Sequence, residues 1–178
     1  MEGKIIIAGF GGQGVVLAGN LLAYAALEED KKILGMVSYG AEVRGGASMS
    51  SVIISDHEID CPIIEVASIG IMLSQEAFDK YSGKVNRDGI LFVNSSEVKM
   101  QNKPDAHLVE IPAAETAKIL GNVKVTNLIM IGAVIEKTKI IRFESIISAL
   151  ERIFTGRRKD LLYINIMAIN KGAELVRE

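Results

Sequence analysis

Residues 4–14 read KIIIAGFGGQG, and residues 15–27 continue as VVLAGNLLAYAAL. The unbroken apolar run from Lys4 to Ala8 predicts a strand buried on both faces of a parallel sheet. The glycines from Gly9 to Gly14 predict a tight turn. The segment after them predicts a helix that is apolar on most faces and therefore needs a contact beyond the sheet, which we read as a partner surface. A strand, glycine turn and helix in that order open a doubly wound sheet.

Further along, strands are predicted at Lys32–Val37, Ser48–Ile54, Ala67–Leu73, Ile90–Asn94 and His107–Ile111, with a short helix at Gln75–Tyr81. After Pro112 the pattern turns helical: Ala113–Leu120, Thr126–Thr138, Phe143–Phe154 and Leu161–Arg177, the last with Asp160 as N-cap. No linker, repeat or low-complexity tract interrupts the pattern. The expected fold is α/β: a Rossmann-like three-layer α/β/α sandwich with a mostly parallel central sheet, one domain over residues 1–178.

The composition narrows the function. With 49% hydrophobic residues, 24% charged and a formal net charge of -2, the chain has core material and no excess positive charge for nucleic acid. No apolar stretch reaches bilayer length, so no membrane partner is expected and the cytoplasm is the expected location. Cys61 is the one cysteine, so a disulfide within the chain and four-thiolate cluster ligation are excluded. Cys61 itself is expected to be a buried small residue. His57 and His107 lack partners at ligand spacing, and no metal site is predicted.

Two segments carry candidate chemistry. In the first, Gly9-Phe10-Gly11-Gly12-Gln13-Gly14 has the GxGxxG spacing between a predicted strand and helix. Such glycines let backbone N–H groups approach an anion at a helix N-terminus; they equally allow close strand–helix packing. A dinucleotide site would need an acid at the end of the second strand, where Val37 runs into Ser38 and Tyr39. A phosphate-cradling Lys is missing as well, since Val15 and Val16 follow Gly14. The second segment, Ser38 to Gly46, is predicted at the carboxyl end of the second strand. There Arg44 is the natural anion clamp, with Glu42 orienting it and Gly45 and Gly46 leaving room.

Together, GFGGQG after the first strand and SYGAEVRGGAS followed by VIIS resemble the gamma subunit of the 2-oxoacid:ferredoxin oxidoreductases. The segment Ser74–Tyr81, SQEAFDKY, resembles the 2-oxoglutarate-type members. The resemblance implies a non-autonomous subunit of an enzyme that converts a 2-oxoacid, with coenzyme A, to an acyl-CoA and passes electrons to ferredoxin. It places thiamine diphosphate, magnesium and the iron-sulfur clusters on partner subunits, with no catalytic residue on this chain. By motif match, Gly11, Gly12, Gln13 and Gly14 of the first segment and Glu42, Arg44, Gly45 and Gly46 of the second are the expected cofactor-binding residues, at the CoA region. The alternative reading is a stand-alone nucleotide-binding sensor or regulatory module.

Overall fold

The computed structural model describes residues 2–38, 47–100 and 102–177. The chain opens with β1 (Glu2–Phe10), α1 (Val15–Leu27), β2 (Lys32–Ser38), β3 (Ala47–Ser55), β4 (Ala67–Met72) and α2 (Gln75–Tyr81). There follow β5 (Val85–Asn94), β6 (His107–Ile111), α3 (Ala113–Ile119), α4 (Thr126–Thr138), α5 (Phe143–Ile153) and α6 (Leu162–Glu174). All six strands join one sheet in the order β2-β3-β1-β4-β5-β6.

β1, β4, β5 and β6 pair in parallel, whereas β3 runs antiparallel to both β1 and β2. Only β3 is therefore reversed, and the expected mostly parallel sheet holds with that single exception. The cause is chain length. Segment 39–46, which joins β2 to β3, is shorter than the dozen or so residues that a crossover between parallel strands requires, so the two strands form a hairpin.

Successive residues of β1 serve opposite faces. Ile5 and Ile7 enter a large core built with α1, α3, α4, α5 and α6. Ile6 and Ala8 enter a smaller one closed by Ala77, Phe78 and Tyr81 of α2 together with Val98 and Ala106. Each of these buried isoleucines stabilises the fold by about 1.5–3 kcal/mol. The strand is continuous in apolar character because both its faces are covered, as the sequence implied. Among the described residues the two helical layers are unequal, five α-helices against one.

α4 is the centre of the thick layer, buried without a break from Asn127 to Ile135. α6 crosses it where both helices carry glycine. A Cβ on Gly132 would run into the Ile169 carbonyl, and one on Gly172 into the Ile129 carbonyl.

Two local expectations change. The second contact demanded by the apolar faces of α1 comes from α5 of the same chain, which buries Leu21, Leu22, Ala25 and Ala26 together with the sheet, so those faces do not require a partner. Asp160 is not the N-cap of α6. A 3₁₀ turn, Gly156–Leu161, runs straight into that helix, and Leu161 occupies the cap position without a side-chain bond. The turn's own i→i+3 bonding, with the Leu162 N–H donating to the Lys159 carbonyl, removes the need for one.

Candidate functional site

The glycine turn sits at the carboxyl end of β1. Gly12 and Gly14 hold positive φ, 97° and 73°, which a side chain would strain, while the space beside Gly11 and Gly12 is open. Gly14 is also packed tightly, for a Cβ there would meet the Asn127 amide, whose Nδ2 donates to the Gly14 carbonyl at 3.0 Å. Gly14 is the N-cap of α1 and supplies no side-chain acceptor, so the first-turn N–H groups of that helix have no capping side chain.

Gln13 folds back over the turn. Its Oε1 accepts from the Phe10 N–H at 3.0 Å and its Nε2 donates to the Leu73 carbonyl at 3.3 Å, at the end of β4. The same carbonyl accepts from Asn94 Nδ2 at 3.1 Å, and Asn94 Oδ1 accepts from the Ala114 N–H at 3.2 Å. Two amide side chains thus tie the glycine turn, β4, β5 and the start of α3 into one rim. Asn94 is fully buried, so its amide serves this scaffold. Ser96 does similar work nearer the surface, its Oγ accepting from the Glu115 N–H at 3.2 Å.

Beside this rim lies a crevice of ≈ 340 Å³. One wall is the turn from Phe10 to Gln13. The opposite wall brings Lys118 of α3, Lys124 of the 3₁₀ turn Val123–Val125, and Thr126 at the start of α4. Neither lysine forms a salt bridge with a described residue, and Glu97 is the one acid among the described lining residues. α4 also begins without a side-chain cap. Two lysines and helix N-termini on facing walls give an electropositive slot suited to phosphate or carboxylate. α1 and α2 leave neighbouring strands toward opposite faces of the sheet, so the slot lies next to the topological switch point. A larger groove of ≈ 760 Å³ lies between α2 and Lys99–Pro104, on the face away from α1. It has neither the glycine turn nor the uncapped start of a long helix.

Glu42, Arg44, Gly45 and Gly46 lie outside the described residues. The ends of their segment are described. Ala47 pairs with Phe10, Ser48 with Gly9, and Ser48 Oγ donates to the Gly9 carbonyl at 3.2 Å. The β2–β3 hairpin therefore leaves the sheet from the same edge as the glycine turn.

Other candidates fall elsewhere. Cys61 is exposed rather than buried, because segment 56–66 runs without regular structure around the far end of the sheet; its thiol faces the Ile63 carbonyl at 3.9 Å. His57 and His107 are both exposed, and among the described residues no three His, Cys, Asp or Glu side chains gather as metal ligands. No described helix is long and apolar enough to cross a membrane. Lys118 and Lys124 were not legible as site residues, since one lies within the predicted helix Ala113–Leu120 and the other between two predicted helices, and neither belongs to a motif. Asn94 carried a faint signal as a polar residue ending a buried strand.

Comparison with known proteins adds an independent line. The family model for pyruvate ferredoxin/flavodoxin oxidoreductase matches residues 4–175. The 2-oxoglutarate synthase subunit KorC of Methanocaldococcus jannaschii is 37% identical over 186 aligned positions, covering 100% of this chain and 96% of its own. The crystal structure of the keto/oxoacid ferredoxin oxidoreductase gamma subunit from Geobacter sulfurreducens superposes with a TM-score of 0.85 at 32% identity, over 97% of this chain and 96% of that one. The 2-oxoglutarate:ferredoxin oxidoreductase of Magnetococcus marinus, solved with 2-oxoglutarate, coenzyme A and succinyl-CoA bound, shares the fold. There the TM-score is 0.88 at 22% identity, over 98% of this chain and 31% of that one.

Proposed function

Because the chain belongs to the pyruvate ferredoxin/flavodoxin oxidoreductase family, as a gamma-type subunit of the 2-oxoacid:ferredoxin oxidoreductases, we propose that it helps form the CoA region of a complex oxidising 2-oxoglutarate. It is a component of an oxidoreductase and not an autonomous enzyme. The name of the KorC relative supports the choice of substrate. In this reading the chain packs on thiamine-binding subunits in the cytoplasm, and ferredoxin accepts the electrons of the whole complex.

The observation that carries the reading is the electropositive crevice at the glycine turn, bordered by the edge from which the β2–β3 hairpin leaves. Its donors fit the phosphates of CoA: open backbone at Gly11 and Gly12, the uncapped first turn of α1, and the ammonium groups of Lys118 and Lys124. Gln13 and Gly14 hold the turn in shape, and Glu42, Arg44, Gly45 and Gly46, which lie outside the described residues, are assigned to the same anion by their motif alone. When bound, CoA supplies the thiol that takes up the acyl group. The chain's own part is to neutralise the phosphates, orient the molecule and exclude water from its anionic end. Iron-sulfur clusters do not fit this chain, whose single cysteine is exposed, so they belong with thiamine diphosphate and magnesium to partner subunits.

The test is native co-purification followed by a CoA-dependent 2-oxoacid oxidation assay on the assembled complex. The expected result is co-elution with thiamine- and cluster-bearing chains, preference for 2-oxoglutarate, and a raised KM for CoA in Arg44→Ala with bound thiamine unchanged. A chain that elutes alone while binding a nucleotide would replace this reading with the sensor. Unchanged CoA kinetics in Arg44→Ala would remove the role given to the hairpin.

A further inference from the structure

The two edges of the sheet are defended differently. β6 presents the polar residues His107 and Glu110 to solvent, the usual protection of an unpaired strand. The first half of β2 is guarded by the Lys32–Glu58 ion pair at 2.8 Å. Its second half has no such guard among the described residues. Gly35, Met36 and Val37 are all exposed, Met36 at 52% and Val37 at 42%, and since successive residues face opposite ways, neither face of this half-strand is covered. No proline or bulge interrupts it; its register with β3 is continuous from Lys32 to Ser38. Bare apolar edge of this kind is a template for another strand.

The sequence along that edge is palindromic in character. Ile33-Leu34-Gly35-Met36-Val37 places, about a two-fold axis through Gly35, Ile33 opposite Val37 and Leu34 opposite Met36 of a second copy. Directly opposite residues in an antiparallel pair share a face, so every pair matches apolar with apolar, and the β-branched residues meet each other. Gly35 meets Gly35 on the axis, where a Cβ would find nothing within 4 Å in the single chain. We infer that β2 pairs antiparallel with β2 of a second copy of this chain, joining two sheets into one.

The axis stands perpendicular to the sheet and keeps the faces in common, so the two α1 helices lie on the same side. Tyr24 and Leu27, exposed at 42% and 55% on the helix that packs over β2, widen the contact toward the ~1,200 Å² of a stable interface. The carboxyl ends of the two β2 strands point in opposite directions. The two glycine-turn crevices therefore open at opposite edges of the joined sheet, and each stays free to meet its own partner. The pairing goes beyond the CoA reading and does not depend on it.

The experiment uses the purified full chain. Sedimentation or light scattering from micromolar to sub-millimolar concentration is expected to give a dimer. Gly35→Glu and Gly35→Lys each set like charges face to face and are expected to give monomers with unchanged circular dichroism, and mixing the two is expected to restore the dimer. As a check that survives poor folding of either charged variant, Gly35→Cys on a Cys61→Ser background is expected to form a disulfide-linked dimer on oxidation. Opposed Cα atoms lie about 4.5–5.5 Å apart in such a pair, within disulfide range. A monomeric wild-type chain, a dimer that either charged variant leaves intact, mixed variants that stay apart, or a cysteine variant that does not cross-link would each overturn the inference. Pairing of the edge with a strand from a different subunit predicts the first and last of these together, a monomeric wild-type chain and a cysteine variant that does not cross-link.

Discussion

Leu73 is the point at which the rim of the crevice can be tested energetically. Its carbonyl accepts from both Gln13 Nε2 and Asn94 Nδ2, while the other end of each amide holds a backbone N–H, of Phe10 and of Ala114. Asn94→Ala leaves the Ala114 N–H without its acceptor at a buried helix start, at a cost of about 1–3 kcal/mol, and removes one of two donors to Leu73, at about 0.5–1.5 kcal/mol. The sum is about 1.5–4.5 kcal/mol. Gln13→Ala costs less, about 1–2 kcal/mol, because that side chain is half-buried and water replaces part of what is lost. After either substitution the Leu73 carbonyl keeps one side-chain donor; after both it has none. The double variant is therefore expected to lose more than the sum of the singles, by about 0.5–1.5 kcal/mol. Urea unfolding of the four proteins, with unchanged m-values, measures this. A double variant equal to the sum, or milder, would refute the shared-acceptor scaffold.

Gly132→Ala is expected to destabilise by at least about 1–3 kcal/mol, since its methyl meets the backbone of Ile169, which cannot rotate aside; a thermal melt within a degree of wild type would contradict the close α4–α6 crossing. In the assembled enzyme, Lys118→Ala and Lys124→Ala are each expected to raise the KM for CoA about 5–30-fold, the loss of one charge-assisted contact, with kcat little changed; kinetics identical to wild type would take the lysines out of the site. The Lys31 ammonium, hydrogen-bonded at 2.6 Å, holds the Asp56 carboxyl down to about 2. A depressed carboxylate stabilises above its unfolded value of about 3.9 and loses that contribution as pH falls toward about 2. Asp56→Asn should therefore flatten the stability profile in that window, and an unchanged acid slope in denaturant titrations would count against the pairing.

How much of this could be read beforehand follows from the range of each interaction. β1, the glycine turn and α1 were legible because their determinants are local: an apolar run long enough for one strand, and glycines where φ is positive at Gly12 and Gly14. The start of β5 was not. The expected strand begins only at Ile90, because Asn86, Arg87, Asp88 and Gly89 are poor strand formers, yet Val85 pairs with Ala67 across a register shift and the strand runs on to Asn94. Tertiary pairing overrides local preference there. The reversal of β3 could have been argued from the length of segment 39–46 alone, since no crossover fits in it.

The site divides in the same way. Its near wall is written contiguously in the sequence, as Phe10 to Gln13, whereas its far wall is assembled from α3, a 3₁₀ turn and the start of α4, about a hundred residues away. What brings that wall into place is the packing of Asn127 against Gly14 and of Asn94 against the start of α3, two buried amides that act between elements. Asn127 keeps a buried Oδ1 with no hydrogen-bond partner among the described residues. The hydrogen bond from Asn127 Nδ2 to the Gly14 carbonyl acts through geometry: it aligns α4 with the glycine turn, so that Lys124 and Thr126 line the same slot as Gly11 and Gly12.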